Sequence, residues 1–215
     1  MTMRRRRQDE DSTDAEPETP PAAPSTNLRA DGPWDSTERS PDDDPSYLDL
    51  GSLWVRGNPG FSLQVPTDDA DGTMGSVVLV AEESGLELRA FADARSGGLW
   101  DDVRADLELE AMRLDGECEP ADGPFGPELR VRIPVTLPDG EAGFQPSRIL
   151  GIEGPRWMLR ATFLGREALD PDDNSLLMHA LRDVIVVRGD EPMAPREALL
   201  ITFGEGLDVV ESTPQ

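Results

Sequence analysis

Lysine is absent from this sequence, cysteine and histidine occur once each, and no run of eighteen apolar residues is present. With Cys118 alone, neither an intramolecular disulfide nor a thiolate metal cluster can form within the chain, and a reducing compartment fits. Cys118 stands between Glu117 and Glu119, whose charge disfavours a thiolate, so it reads as inert. With His179 as the lone histidine, Ser or Cys nucleophilic catalysis has a single possible imidazole base, and no Gly-x-Ser-x-Gly elbow marks a nucleophile for it. His179 is expected on a helix, as a surface or packing residue. The lack of a long apolar run disfavours a spanning helix. The basic start, residues 1 to 7, is followed by Gln8-Asp9-Glu10-Asp11 where a signal peptide needs apolar residues, so the expected location is the cytoplasm. Bases are also scarce: 20 arginines face 44 acids, for a net charge of -24. Such a molecule repels polyanions, and no nucleic-acid partner is expected.

What is present suits one domain with appendages. The chain has 215 residues, and its hydrophobic fraction of 37% is low because the first segment is depleted. Residues 1 to 46 hold twelve acids, six arginines and seven prolines, with Trp34 as the one large aromatic. A segment of this kind buries too little to offset its conformational entropy and is expected to be disordered and dispensable for folding. Trp34 reads as a solvated side chain or as one that docks on the domain or a partner. The domain is placed over residues 47 to 204, with a loose C-terminal tail over 205 to 215.

Hydrophobic periodicity supplies the elements. Phe61, Leu63 and Val65 alternate with polar residues, and residues 75 to 93 form a hairpin, with a wholly apolar run, Val77 to Val80, and an alternating one, Leu86 to Ala90, around Glu82-Glu83-Ser84-Gly85. Trp100, Val103, Leu107, Ala111 and Leu114 recur at helical spacing, with Asp101 and Asp102 in the first turn and Gly116 beyond the last. Leu129 to Leu137, Phe144 to Ile152 and Trp157 to Phe163 make a three-stranded meander, in which Pro134 signals a free edge or a bulge. A helix is expected from Ser175 to Arg182, a short apolar element over residues 184 to 187, and a short helix from Pro195 to Leu200. The fold class is α+β: an antiparallel sheet with helices on its faces, in an element order that resembles a PsbP-like α/β/α sandwich.

No catalytic residue, metal ligand or cofactor motif emerges. Ser96-Gly97-Gly98, the glycines and prolines of residues 122 to 127, and Gly151-Ile152-Glu153-Gly154 match no phosphate-binding fingerprint and read as turns. The paired carboxylates Asp101/Asp102, Asp172/Asp173 and Asp190/Glu191 fit helix starts and solvated loops. Arginine is the informative residue, because its fork grips carboxylate and phosphate. Arg130, Arg132, Arg148, Arg156 and Arg160 occupy outward strand positions that could share one sheet face, with cross-strand pairing to Glu128 or Glu141, or packing under a helix, explaining them equally well, while Arg188, Asp190 and Arg196 lie in a stiff Pro-containing segment. The binding candidates are Arg156, Arg160, Arg188, Asp190 and Arg196. Ion pairing that merely pins the loop explains the last three equally well.

Ser96-Gly97-Gly98-Leu99-Trp100-Asp101, residues 123 to 129, residues 154 to 160 and, most specifically, residues 186 to 196 together resemble the uncharacterised actinobacterial domain-of-unknown-function family 3710. The resemblance runs from about residue 47 to about residue 200. It implies no established activity, cofactor or catalytic residue. Members are often encoded near a dUTPase gene, which implies at most a nucleotide-related ligand. The function is thus unknown, and the leading reading is a non-catalytic binding or regulatory module with a protein or small-anion partner. The alternative is a small-anion or nucleotide-related binder, or an enzyme, using clustered arginines.

Overall fold

The computed structural model describes residues 28–41, 44–66, 73–137 and 139–203. Most of the expected N-terminal tail, the stretch 205 to 215 and Pro138 lie outside them. In chain order the strands are β1 (Trp34–Asp35), β2 (Tyr47–Asp49), β3 (Leu53–Arg56), β4 (Ser62–Gln64), β5 (Val77–Ala81) and β6 (Ser84–Ala92). Helix α1 (Leu99–Arg113) follows, then β7 (Glu117–Gly123), β8 (Gly126–Thr136), β9 (Ala142–Gly154) and β10 (Trp157–Gly165). The short α2 (Arg166–Leu169), α3 (Leu176–Asp183) and β11 (Ile185–Val186) complete the order. A large sheet runs β4-β5-β6-β10-β9-β8-β7 and is antiparallel throughout, and a small one runs β1-β11-β3-β2.

Period-2 alternation sends Leu86, Leu88, Ala90 and Ala92 of β6, and Trp157, Leu159, Ala161 and Phe163 of β10, to one face of the large sheet. There they pack against Leu53 and Val55 of the small sheet and against Leu177, Met178 and Leu181 of α3. The other face is covered over β7 to β9 by α1, whose Leu99, Trp100 and Ala111 meet Leu129, Val131, Ile149 and Met158. The sheet therefore has two buried faces, as an α/β/α-type layering requires. Gly151, within the expected strand although its glycine reads as a turn signal, lies inside β9, and its lack of a side chain serves packing: a Cβ there would fall within the Trp100 indole that docks on it.

Three sequence expectations change for identifiable reasons. The domain begins before residue 47: β1 pairs in parallel with β11, and buried Asp35 accepts a 2.7 Å hydrogen bond from Trp157 Nε1. Trp34 is thus part of a strand rather than of a solvated tail, and Arg29 stacks 5.2 Å from the Trp157 ring centroid. Residues 195 to 200 form no helix. The edge of β6 beyond Leu88 has no β5 residue opposite it, and backbone bonds Arg196 N to Ala92 O, Ala92 N to Glu197 O and Leu199 N to Ala90 O fill that edge. The third change is β7, a polar strand that lacks the alternation of its neighbours and pairs along β8. Pro134 lies past the end of β7, where β8 has β9 alone beside it, as the free-edge expectation required.

Candidate functional site

Because the sheet has two buried faces, the arginines at outward strand positions do not share a patch. Leu129 and Val131 point toward α1, whereas Trp157 and Leu159 point toward α3, so the residues alternating with them face opposite ways. Arg130 and Arg148 are cross-strand neighbours on the α3 side. There Arg148 is buried with Glu128, Nη2 to Oε2 being 2.8 Å, and reaches Asp173 at 3.2 Å. Burial works against the charged form of Arg148, but Glu128 and then Asp173 outweigh it and hold the guanidinium above its ordinary pKa. This network is internally satisfied and offers no free cation.

Arg156, Arg188 and Asp190 form a loop clamp. Arg156 sits at positive φ in the turn after β9, donates to Gly189 O at 2.8 Å and lies 3.8 Å from Asp190. Arg188 is buried, and it donates to Arg156 O and Glu191 O, both at 3.1 Å. These bonds hold the segment after β11 on the turn between β9 and β10. Backbone pairing with β6 then delivers Arg196 to α1, where it meets Asp106 at 2.6 Å and Asp102 at 3.4 Å.

Arg160 is different. It lies on the face of the large sheet that α1 only partly covers, directly opposite Arg89 in the β6–β10 register. Its Nε is buried without a hydrogen-bond partner, the guanidinium makes no hydrogen bond or ion pair among the described residues, and Cζ stands 5.8 Å from the Phe91 ring centroid. Arg89 Nε is likewise buried and unpartnered, and its other contact is a loose 3.8 Å approach to Glu87. Burial pulls Arg160 below the ordinary arginine range, Glu87 offsets part of that, and Arg89 adds to it. Two like charges paired across a ladder are destabilising unless an anion joins them, and Glu87 meets that need only in part, at a loose 3.8 Å from Arg89 and without an ion pair to Arg160.

Arg160 and Phe91 form the floor of a groove of about 400 Å³, walled by Val103 and Leu107 of α1 and bordered by Asp106 and Arg196. Of the five candidates, the structure brings Arg160 and Arg196 to this groove and leaves Arg156, Arg188 and Asp190 in the clamp. Sequence reasoning missed Arg89 and Phe91. The signal available was the hairpin parity, which sets Glu87, Arg89 and Phe91 opposite Leu86, Leu88 and Ala90.

Other chemical candidates have structural roles. The N-terminus of α1 is satisfied from within the chain, since Glu153 Oε1 accepts from Gly98 N and Trp100 N, each at 2.9 Å. His179 is exposed on α3. Burial raises the Cys118 thiol first and Glu108 of α1 second, in place of the sequence neighbours Glu117 and Glu119. Asp101 pairs with Arg104 at 3.0 Å.

A family model described as a protein of unknown function, DUF3710, matches residues 32–208. This chain belongs to that family. The match starts upstream of Trp34, in agreement with a domain that includes β1. No curated protein matches the chain. Among solved structures it is similar to cyanobacterial PsbP (CyanoP) from Synechocystis sp. PCC 6803, at 12% identity and a TM-score of 0.36, over 63% of this chain and 86% of that one.

Proposed function

We propose that this member of the DUF3710 family is a non-catalytic binding module that captures a small anion in the groove between α1 and the β6–β10 face. The observation that carries the reading is Arg160, a half-buried guanidinium that stacks on Phe91 but has no hydrogen-bond or ion-pair partner among the described residues, opposite a second under-satisfied arginine. Buried polar groups are nearly always paired, so one left open at a groove calls for an outside partner: water, an ion or a ligand. The remaining candidate arginines are engaged by carboxylates or carbonyls. A reducing cytoplasmic setting fits the single thiol, and a net charge of -24 argues against nucleic acid as the ligand. No helix among the described residues is long and apolar enough to cross a membrane.

The test is thermal melting in acetate, sulfate and phosphate at constant ionic strength. The wild-type melting temperature rises with anion concentration, because a ligand that binds the folded state alone stabilises it by mass action. Arg160→Met removes the response. Equal responses of the two chains would sink the reading. A protein partner is the second reading, favoured by Leu109 and Met112, which are 54% and 65% exposed on α1. Capture of such a partner would survive Arg160→Met.

A further inference from the structure

We propose that the groove takes a small apolar monocarboxylate, with Arg160 gripping the carboxylate and Phe91, Val103 and Leu107 covering the apolar body. This rests on the reading of the groove as an anion site and names the class of anion. Charge is the first argument. Arg196 is committed to Asp106 and Asp102, and Arg113 lies 3.3 Å from Glu110, so Arg160 is the one uncommitted cation of the groove among the described residues. One open guanidinium balances one negative charge. A nucleoside diphosphate or triphosphate would bring several, into a groove bordered by Asp106 and Glu110 on a chain of net charge -24.

Geometry is the second argument. An arginine end-on, with both Nη groups open, matches the two oxygens of a carboxylate, and that bond is stronger in partly desolvated surroundings than in bulk water. The Arg160 Nε is closed to solvent and to a ligand alike, so the groove is offered the two Nη groups, which no hydrogen bond or ion pair among the described residues engages. The third argument is the wall. Phe91, Val103, Leu107 and Leu109 supply apolar surface around that single cation, and a volume of about 400 Å³ lies at the small end of ligand pockets. An apolar wall contributes nothing to inorganic phosphate, whereas it shelters an acyl chain or an aryl ring.

The experiment is isothermal titration of the full chain, at constant ionic strength, with octanoate, 1-naphthoate, 1-octanol, inorganic phosphate and adenosine triphosphate. Octanoate and naphthoate bind at least about tenfold more tightly than octanol, phosphate or the triphosphate, and Arg160→Met removes at least about tenfold of that affinity. Arg160→Gln is the second variant if Arg160→Met fails to fold, and circular dichroism reports folding for both. Octanoate binding no tighter than octanol, or unchanged by loss of the guanidinium, overturns the proposal. Arg160-dependent binding of phosphate without binding of octanoate overturns the monocarboxylate class and leaves the anion site standing. Absence of binding by every anion overturns both.

Discussion

Trp157 shows how much one side chain can carry. It is fully buried, its ring receives the Arg29 guanidinium, and its Nε1 donates to Asp35. Strand alternation with Leu159 and Phe163 is enough to place it inward, so its burial is legible in the sequence. Its polar partner is not, because Asp35 lies in a segment whose composition reads as tail. Trp157→Ala removes a large aromatic and leaves the Asp35 carboxylate without that bond, at a cost of about 3 to 5 kcal/mol in urea unfolding. A loss below about 1 kcal/mol would mean that the ring is not a core residue. Arg188 makes the opposite point. It looks like a binding residue in the sequence and proves to be a buried donor to two backbone carbonyls, so its removal tests the loop and not a ligand.

Among the elements, β1 is the one that composition conceals. Two residues paired with β11 have no periodicity to detect, and the flanking prolines and acids argue against structure. Starting the chain at Pro45 deletes β1 and the Asp35 acceptor. The melting temperature then falls by more than about 5 °C, since each kcal/mol shifts a domain of this size by about 2 to 4 °C. A chain starting at Leu28 keeps both and melts close to the full-length protein. Equal melting of the two truncations would show that β1 adds nothing. The hairpin, α1, the meander and α3 are legible because apolar runs or apolar positions at strand or helix spacing mark them, whereas polar β7 and the Pro195 segment take their conformation from the open edges of β8 and β6.

At the scale of the whole molecule, net charge is the property that composition sets most firmly. With 44 acids against 20 arginines, self-repulsion opposes the compact state, and ion pairs such as Arg56–Asp44, Arg132–Glu117 and Arg196–Asp102 are partly exposed and individually weak. Raising sodium chloride from about 0.02 M to about 0.5 M shortens the screening length to a few ångströms and relieves that repulsion. The melting temperature therefore rises with salt, by a few degrees. A fall would show that attractive pairs such as Arg196–Asp106 outweigh the net repulsion.

The sequence by itself determined the acidic character, the α+β class, the parity of the long strands and the helical face of α1, since each follows from local composition or from a repeat of two or 3.6 residues. It also identified arginine as the residue type with binding potential. Which arginines are free was decided by tertiary structure. Parity along a strand tells which residues alternate, but the register between strands and the layer packed on each face determine what they meet. Arg148 and Arg160 both read as outward. One found Glu128 under the α3 layer, and the other found Arg89 beside the open edge of α1.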